Sequence, residues 1–371
     1  MAGREDYALA AGAVEAVAAP DLAYRPPKPK GRHRIALVGA GGISFAHLDA
    51  YRTHGFEVTV ILSRDRAKAV ARRDEFFPEA VVMTDYAALL RRGDIDVLDL
   101  TPHPGERVAL IEAALRAGKH VLSQKPFVTD LDTGERLADL ADANSVRLAV
   151  NQNGRWAPHM AWMRKAVQAG LIGEVTGIHA SLHWDHRWIK GTPFERQDDI
   201  VLFDFGVHWF DFVTSLTGRL AERVQAQAVR VPSSGVAPPM GASVLMDFGT
   251  AQASLAFDAA VPAGPLDMTY VAGSAGSLMS IGPDLGHQTV TLTTAAGRAV
   301  PGLTGAWFND GFAGAMGALL VAIETGAEPE HSGRRNLMTL SNTFAALEAA
   351  RTGLAVVPGD ARRRGQEGGR R

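Results

Sequence analysis

The sequence predicts an α/β chain, with an N-terminal Rossmann-type doubly wound parallel sheet followed by a C-terminal α/β domain on a large, mainly antiparallel open sheet. Three observations carry that prediction. From residue 34 to about 150, short apolar runs alternate with helix-length segments, the pattern of a parallel sheet covered by helices on both faces. Past residue 151, short strand-like runs crowd together with turn-formers between them, which suggests antiparallel pairing. At 371 residues the chain also exceeds what one hydrophobic core usually serves.

The elements follow in order. Residues 1–33 form an extension. Its Ala-rich stretch YALAAGAVEAVAAP reads as a short amphipathic helix, because Arg4, Glu5 and Asp6 precede it and Glu15 interrupts it, unlike a signal peptide. RPPKPKGR (25–32) is a proline-stiffened linker. In the nucleotide-binding stretch, 34–152, the predicted strands are RIALV (34–38), EVTVIL (57–62), VVM (81–83), DVLDL (96–100), KHVLS (119–123) and RLAV (147–150). In 153–360 the helical segment HMAWMRKAVQAG precedes VTGIHASLHW, RVQAQAVRV, ASVLMDF, TAQASLAF, LDMTYVAG and QTVTLTT. Two late helices are expected near 310–325 and 336–351. The tail ARRRGQEGGRR (361–371) is charged and Gly-rich and is expected to be disordered.

Composition narrows the function. The net charge of −2 supplies no basic field for nucleic acid, and no apolar run approaches the roughly 18 residues of a membrane span. The chain has no cysteine, which excludes disulfides, thiolate metal sites and a Cys nucleophile, and which fits a cytoplasmic location.

RIALVGAGGIS supplies Gly39, Gly41 and Gly42, then Ile43, with Ser44 at the third fingerprint position. Such a turn, following a strand and opening a helix, lets a dinucleotide pyrophosphate approach the backbone at the helix N-terminus. Ser44 in place of glycine should loosen helix–strand packing slightly. After the second strand, VILSRDRAK offers Ser63 and Arg64 where an NAD enzyme carries an acid. A hydroxyl and a guanidinium would bind a 2′-phosphate, so NADP(H) is favoured over NAD(H), with Asp65 left as an alternative ribose ligand. Ligands in this fold sit beyond the carboxyl ends of the strands, which puts Thr101, Pro102, Gln124 and Lys125 at the cofactor crevice.

FDFGVHWFD (203–211) sets Asp204, His208 and Asp211 among four aromatic residues. As a helix, it brings all three onto one face. They form either a satisfied core network or a reaction site. A metal is not expected there. Nor is one expected at His179, His183 and His186, which as a strand do not share a face.

GAGGIS, AGKHVLSQKP and DFGVHWFD, in this order, resemble the Gfo/Idh/MocA family, relatives of glucose–fructose oxidoreductase and inositol dehydrogenase. The resemblance covers residues 34 to about 357. The family's Glu-Lys-Pro appears as Gln124-Lys125-Pro126 and its Asp-x-Gly-x-His-x-x-Asp as Asp204, Gly206, His208 and Asp211. It implies an NAD(P)-dependent oxidoreductase passing hydride between nicotinamide and a carbinol carbon of a sugar, sugar derivative or cyclic polyol. Lys125 would lie near nicotinamide and substrate hydroxyl, His208 would be the general acid/base, Asp204 its neighbour, and Asp211 structural. Gln124 removes a charge beside Lys125, or preserves only a hydrogen bond.

The resemblance also places Asn153, Arg155 and Trp156 at the cleft as candidate substrate contacts, the structural alternatives being that Trp156 packs the domain hinge and Arg155 caps the next helix. The strand end could offer His183, Asp185 or Trp184 to a polar substrate, with satisfied sheet-face side chains as the alternative, and HRWIKGTPFERQDD (186–199) could cover the site. A homodimer or homotetramer through the exposed sheet face is implied. Redox-neutral glycoside cleavage or epimerisation, and a non-enzymatic NADP-sensing role, are the alternative functions.

Overall fold

The computed structural model describes residues 14–365. The first sheet comprises β1 (Arg34–Val38), β2 (Glu57–Leu62), β3 (Val81–Met83), β4 (Val97–Leu100), β5 (His120–Gln124) and β6 (Leu148–Asn151). All its pairs are parallel, in the order β3-β2-β1-β4-β5-β6. The central strands are buried on both faces, which is why they read as unbroken apolar runs. The crossovers are α1 (Ser44–His54), α2 (Arg66–Phe76), α3 (Tyr86–Leu90), α4 (Pro104–Arg116) and α5 (Leu131–Ala143). Strand order reverses between β1 and β4, so a crevice opens at their carboxyl ends.

The second sheet has eight strands in the order β14-β13-β12-β11-β7-β10-β9-β8. They are β7 (Val175–His183), β8 (Arg223–Val229), β9 (Gly241–Asp247), β10 (Gln252–Asp258), β11 (Leu266–Gly273), β12 (Gly276–Gly282), β13 (Thr289–Thr294) and β14 (Gly297–Ala299). Neighbours are antiparallel except β7 with β10, which the chain can join only by the long return through a helix, β8 and β9. β12 and β14 lie outside the runs marked in the sequence; GSLMSIG is too Gly- and Ser-rich, and GRA too short, to announce a strand.

Along β7, Ile178, Ala180 and Leu182 face the helices, while His179, Ser181 and His183 face the open side. The covering helices are α6 (Pro158–Gln168), α7 (Val207–Thr217) and α9 (Gly333–Thr352), and one further helix, α8 (Trp307–Thr325), packs elsewhere. α8 belongs by sequence to the second half, yet its Phe312, Met316 and Leu319 join Ile35, Leu37 and Leu48 in one core against α1.

Both termini depart from expectation. Residues 7–13 of the Ala-rich stretch lie outside the described residues, and 15–17 run extended instead of helical. Val17 N–H donates to the Arg298 carbonyl and Arg298 N–H to that of Glu15, so the segment satisfies the otherwise unpaired edge of β14. The extension then crosses α8, where the Lys30 and Gly31 amides donate to Glu324. At the other end, residues 361–365 are ordered. Arg362 pairs with Asp132 and Glu135, and Arg364 N–H donates to the Thr129 carbonyl. Residues 366–371 lie outside the described residues.

Candidate active site

β1 leads into Gly39 at φ +103°, a conformation L side chains rarely adopt; a Cβ there would stand 2.5 Å from Thr101 Oγ1. Thr101 Oγ1 donates to the carbonyls of Val38 (3.1 Å) and Gly39 (2.8 Å), so the end of β4 braces the turn. Above Gly41 and Gly42 the space is open: a Cβ on either meets nothing within 4 Å. Ile43 caps α1, whose first turn carries no acid. This cradle at the positive end of a helix fits a dinucleotide pyrophosphate. Ser44 does not loosen it, because its Oγ donates to the Gly41 carbonyl (2.6 Å) and accepts from Arg72 Nε (3.1 Å).

After β2, Asp65 accepts the amides of Ala67 and Lys68 and so caps α2; that oxygen is not available to a ribose. Ser63 Oγ accepts the Asp65 amide. Arg64 reaches across the crevice mouth to both carboxylate oxygens of Glu106, each at 3.1 Å.

Arg107, fully buried on α4, donates to the carbonyls of Pro102, Pro126 and Phe127 and ties together the loops following β4 and β5. Burial pushes its guanidinium down to about 9, against the pull of Asp204 and Asp99.

Lys125, at the end of β5, points across this crevice. Its Nζ donates to the Asp204 carbonyl at 2.8 Å and lies 3.3 Å from Asp204 Oδ2. Asp204 occupies a π-helical turn, Val201–Phe205, closed by the Gly206 N–H to the Val201 carbonyl at 2.7 Å. A Cβ on Gly206 would sit 2.9 Å from the carbonyls of Val201 and Leu202, so the tight junction with α7 requires glycine.

The polar stripe predicted on this segment is divided between two tasks. His208 is half-buried; its Nδ1 edge is sealed beside Gly154 and has no partner among the described residues, which leaves Nε2 as the open edge. Its ring stands edge-on to Trp307 at 5.3 Å. Burial, and then the Lys125 ammonium, hold His208 well below the ordinary imidazole range, so it is neutral at pH 7. Asp211 instead takes a buried bidentate pair with Arg155, at 2.6 and 2.9 Å, and a hydrogen bond from Thr339.

The expected substrate contacts are mostly displaced. Arg155 is held by Asp211 and the Glu330 carbonyl, away from the cleft. Trp156 is buried against Gly314, where a Cβ would overlap its ring, and meets His331 edge-on. Trp156 thus packs the junction, its structural alternative, whereas Arg155 is an ion-pair partner and does not cap α6, which has no side-chain cap. Asn153 keeps one group near the cleft, its Oδ1 accepting from Trp307 Nε1 at 2.8 Å. His183 faces the open side of the sheet, bonded to Ser181 and Asp258, and Asp185 is taken by Arg187.

The residues turned inward at this strand end are Trp184 and His186. Trp184 stands edge-on to Trp209 at 5.5 Å with its Nε1 unpartnered among the described residues. His186 stacks on Phe205 at 4.0 Å, and burial lowers it to about 4, with Asp204 and Lys125 both near enough to act on it. The 186–199 segment contributes Trp188 and Phe194, and Phe194 meets His103 after β4 across the crevice. Arg107, His186 and Trp307 were not singled out from the sequence as site residues. Strand parity on β7 could have found His186, but nothing in the pattern of α8 marks Trp307.

A glycine cradle at a parallel-sheet switch point, facing a lysine, a carboxylate and a neutral histidine, defines a dinucleotide-dependent oxidoreductase. Residues 33–152 match the oxidoreductase family with an NAD-binding Rossmann fold, and residues 160–279 match the GFO/IDH/MocA C-terminal domain. The chain belongs to the Gfo/Idh/MocA family. It is 27% identical to D-apiose dehydrogenase of Paraburkholderia graminis, over 88% of this chain and 89% of that one. It is 32% identical to a dTDP-3,4-didehydro-2,6-dideoxy-alpha-D-glucose 3-reductase of Streptomyces violaceoruber, over 69% and 76%. An Agrobacterium radiobacter oxidoreductase solved with NAD+, L-tartaric acid and magnesium shares the fold, with a TM-score of 0.78 at 22% identity over 89% of this chain and 99% of that one.

Proposed function

We propose that this protein is a cytoplasmic, NADP(H)-preferring dehydrogenase that acts on a carbinol carbon of a sugar, sugar derivative or cyclic polyol. The convergence of Lys125, Asp204 and the open edge of neutral His208 beside the glycine cradle carries the reading. When bound, the nicotinamide supplies the two-electron acceptor that takes hydride from the carbinol carbon. His208 Nε2 takes the hydroxyl proton as the carbonyl forms, and in the reverse direction returns it. Lys125 donates to the same oxygen and stabilises charge developing on it. Asp204 holds the ammonium in position at 3.3 Å. The half-buried ring of Trp184 suits the apolar face of a hydroxylated ring. The two relatives named above act on D-apiose and a dTDP-linked sugar, which supports this substrate class. The open sheet face, with Leu245, Tyr270 and Ile281 exposed, supports a homodimer or homotetramer.

On the cofactor, Asp65 serving as a helix cap supports NADP(H). The bidentate hold of Glu106 on Arg64 favours the second reading, NAD(H), because the pair must open to admit a 2′-phosphate. The test is reduction of NADP+ and NAD+, followed by absorbance of the reduced nicotinamide, against sugars, sugar acids and cyclitols, with His208→Ala as control. Turnover lost in that variant supports the dehydrogenase. Product formation without net cofactor reduction would replace it with a redox-neutral reaction.

A further inference from the structure

The chain carries glutamine before its catalytic lysine, and the structure shows what the glutamine meets. Behind Gln124, in the core between β4, β5, β6 and α1, lies a closed set of polar side chains: His47, Tyr51, Asp99 and Asn151, all fully buried. Gln124 Oε1 accepts the Lys125 backbone N–H at 2.7 Å and Asn151 Nδ2 at 3.3 Å. Two donors on this oxygen fix which end of the amide is which. Gln124 Nε2 therefore points at His47 Nε2, 3.2 Å away, and Asn151 Nδ2 approaches the same nitrogen at 3.4 Å. An amide NH2 can only donate, so His47 Nε2 is an acceptor and the proton of the neutral ring sits on Nδ1.

From Nδ1 the ring donates to Asp99 Oδ2 at 2.7 Å. The Tyr51 hydroxyl donates to the same oxygen at 2.7 Å; burial and the neighbouring carboxylate hold this phenol well above its usual range, so it keeps its proton. The chain of donation runs from Tyr51 and His47 into Asp99, and from Gln124 into His47. The other groups facing the ring are Phe312 of α8, at 4.7 Å, and, beyond Asp99, the Arg107 guanidinium. Asp99 Oδ1 and Asn151 Oδ1 are left without partners among the described residues, so the arrangement is held at a cost.

We propose that His47, with Tyr51 and Asp99 behind it, is a positioning residue for Lys125, acting through Gln124, and that glutamine is the residue this cluster accepts without an additional proton. The proposal rests on the reading of Lys125 as catalytic. Gln124→Glu would set a carboxylate oxygen against the lone pair of His47 Nε2. The two acceptors repel unless one proton is added between them, on the imidazole or on the carboxyl. With that proton the cluster closes again; without it, residue 124 withdraws from the position that holds the Lys125 backbone. The substitution therefore introduces a pH dependence that the native chain lacks.

The experiment uses the full chain and has two arms. In the first, kcat and KM are measured from pH 6 to 9 for the native protein, Gln124→Glu, Gln124→Glu with Asp99→Asn, and Gln124→Glu with His47→Gln. The expected result is a Gln124→Glu enzyme close to native at the acid end whose kcat falls about tenfold relative to native at the alkaline end, with cofactor KM little changed. Removing the Asp99 charge leaves less to hold the added proton, so in that double variant the fall moves to lower pH. With His47→Gln, the introduced amide donates a hydrogen to the introduced carboxylate at every pH, so that double variant loses the added limb. A Gln124→Glu profile parallel to the native one overturns the proposal, as does a limb indifferent to both second substitutions.

The second arm is independent of turnover. Nitrogen-15 NMR of the imidazoles, with the His47 signals assigned by their loss in His47→Gln, should show a protonated Nδ1 and an unprotonated Nε2 in the native protein. Protonation at Nε2 instead would overturn the relay even if the enzyme is active. The expected tautomer in a protein that oxidises nothing would leave the relay standing and place the failure in the dehydrogenase reading.

Discussion

The cofactor preference turns on two side chains whose energies can be set against each other. Arg64 and Glu106 are 85% and 54% exposed, so their ion pair is worth only about 0.2–1 kcal/mol. A guanidinium donating to a 2′-phosphate gains about 1.5–3 kcal/mol per charged hydrogen bond. Opening the pair thus leaves roughly 1–2 kcal/mol in favour of the phosphate. Arg64→Ala is expected to lower kcat/KM for NADP+ by about five- to thirtyfold and leave NAD+ within about twofold. Glu106→Ala frees the arginine and removes a repelling carboxylate, which should raise kcat/KM for NADP+ by up to about fivefold. The assay is initial rates with both cofactors at matched, moderate ionic strength, since salt screens exposed charges. An NADP+/NAD+ ratio unmoved by Arg64→Ala, or lowered by Glu106→Ala, would refute the reasoning and hand the site to NAD(H).

Three further outcomes are expected. Asp211→Ala strands the buried Arg155 charge, at about 3–5 kcal/mol; with about 2.1 cal/mol/K per residue over 371 residues, Tm should fall by roughly 4–6 °C in a two-state melt, while substrate KM stays constant. His208 lies below the ordinary imidazole value of 6.5, so it remains the free base as pH drops through 6.5, and kcat/KM for oxidation should hold level from pH 8 to 6.5 and decline only below it. Lys125→Met removes the second cause of that depression and should move the residual activity's acid limb upward; an unmoved limb would separate the two groups. Arg364 pairs bidentately with Asp199 at 2.5 and 2.6 Å and lies 4.3 Å over the ring of Phe203, next to Asp204. Arg364→Ala should therefore lower kcat by about three- to tenfold with little change in Tm, measured by steady-state rates beside a thermal melt.

Most of the fold was legible because periodicity reports burial. The central strands of the parallel sheet are buried on both faces and read as apolar runs, and α2, α3 and α5 each start at an aspartate cap, Asp65, Asp85 and Asp130. What escaped was set by partners remote in the sequence. Residues 15–17 look helical by composition but are extended because β14 offers an unpaired edge. The arginines at 362–364 look like a disordered tail, but α5 and the segment before the π-turn present acids to them.

In the candidate site, parity on β7 separates the two faces, and the sequence left open whether His183, Asp185 or Trp184 meets a substrate or is a satisfied sheet-face side chain. His179, Ser181 and His183 do share one side, but it is the open side, and the site receives Trp184 and His186. Alternation alone cannot say which face is covered; that depends on where α7 lies. The π-turn was hidden for a similar reason. One extra residue in a turn leaves no mark on composition, and only the backbone crowding at Gly206 betrays it. Asp99 is the opposite case. A carboxylate inside VLDL, a strand buried along its whole length, cannot be left without donors, so its presence already required buried partners close by. Those partners are His47 and Tyr51, one helical turn apart on α1, and through His47 the requirement reaches Gln124. The departure from Glu-Lys-Pro and the acid in the fourth strand are thus two ends of one hydrogen-bond chain, each visible in the sequence and joined only by the fold.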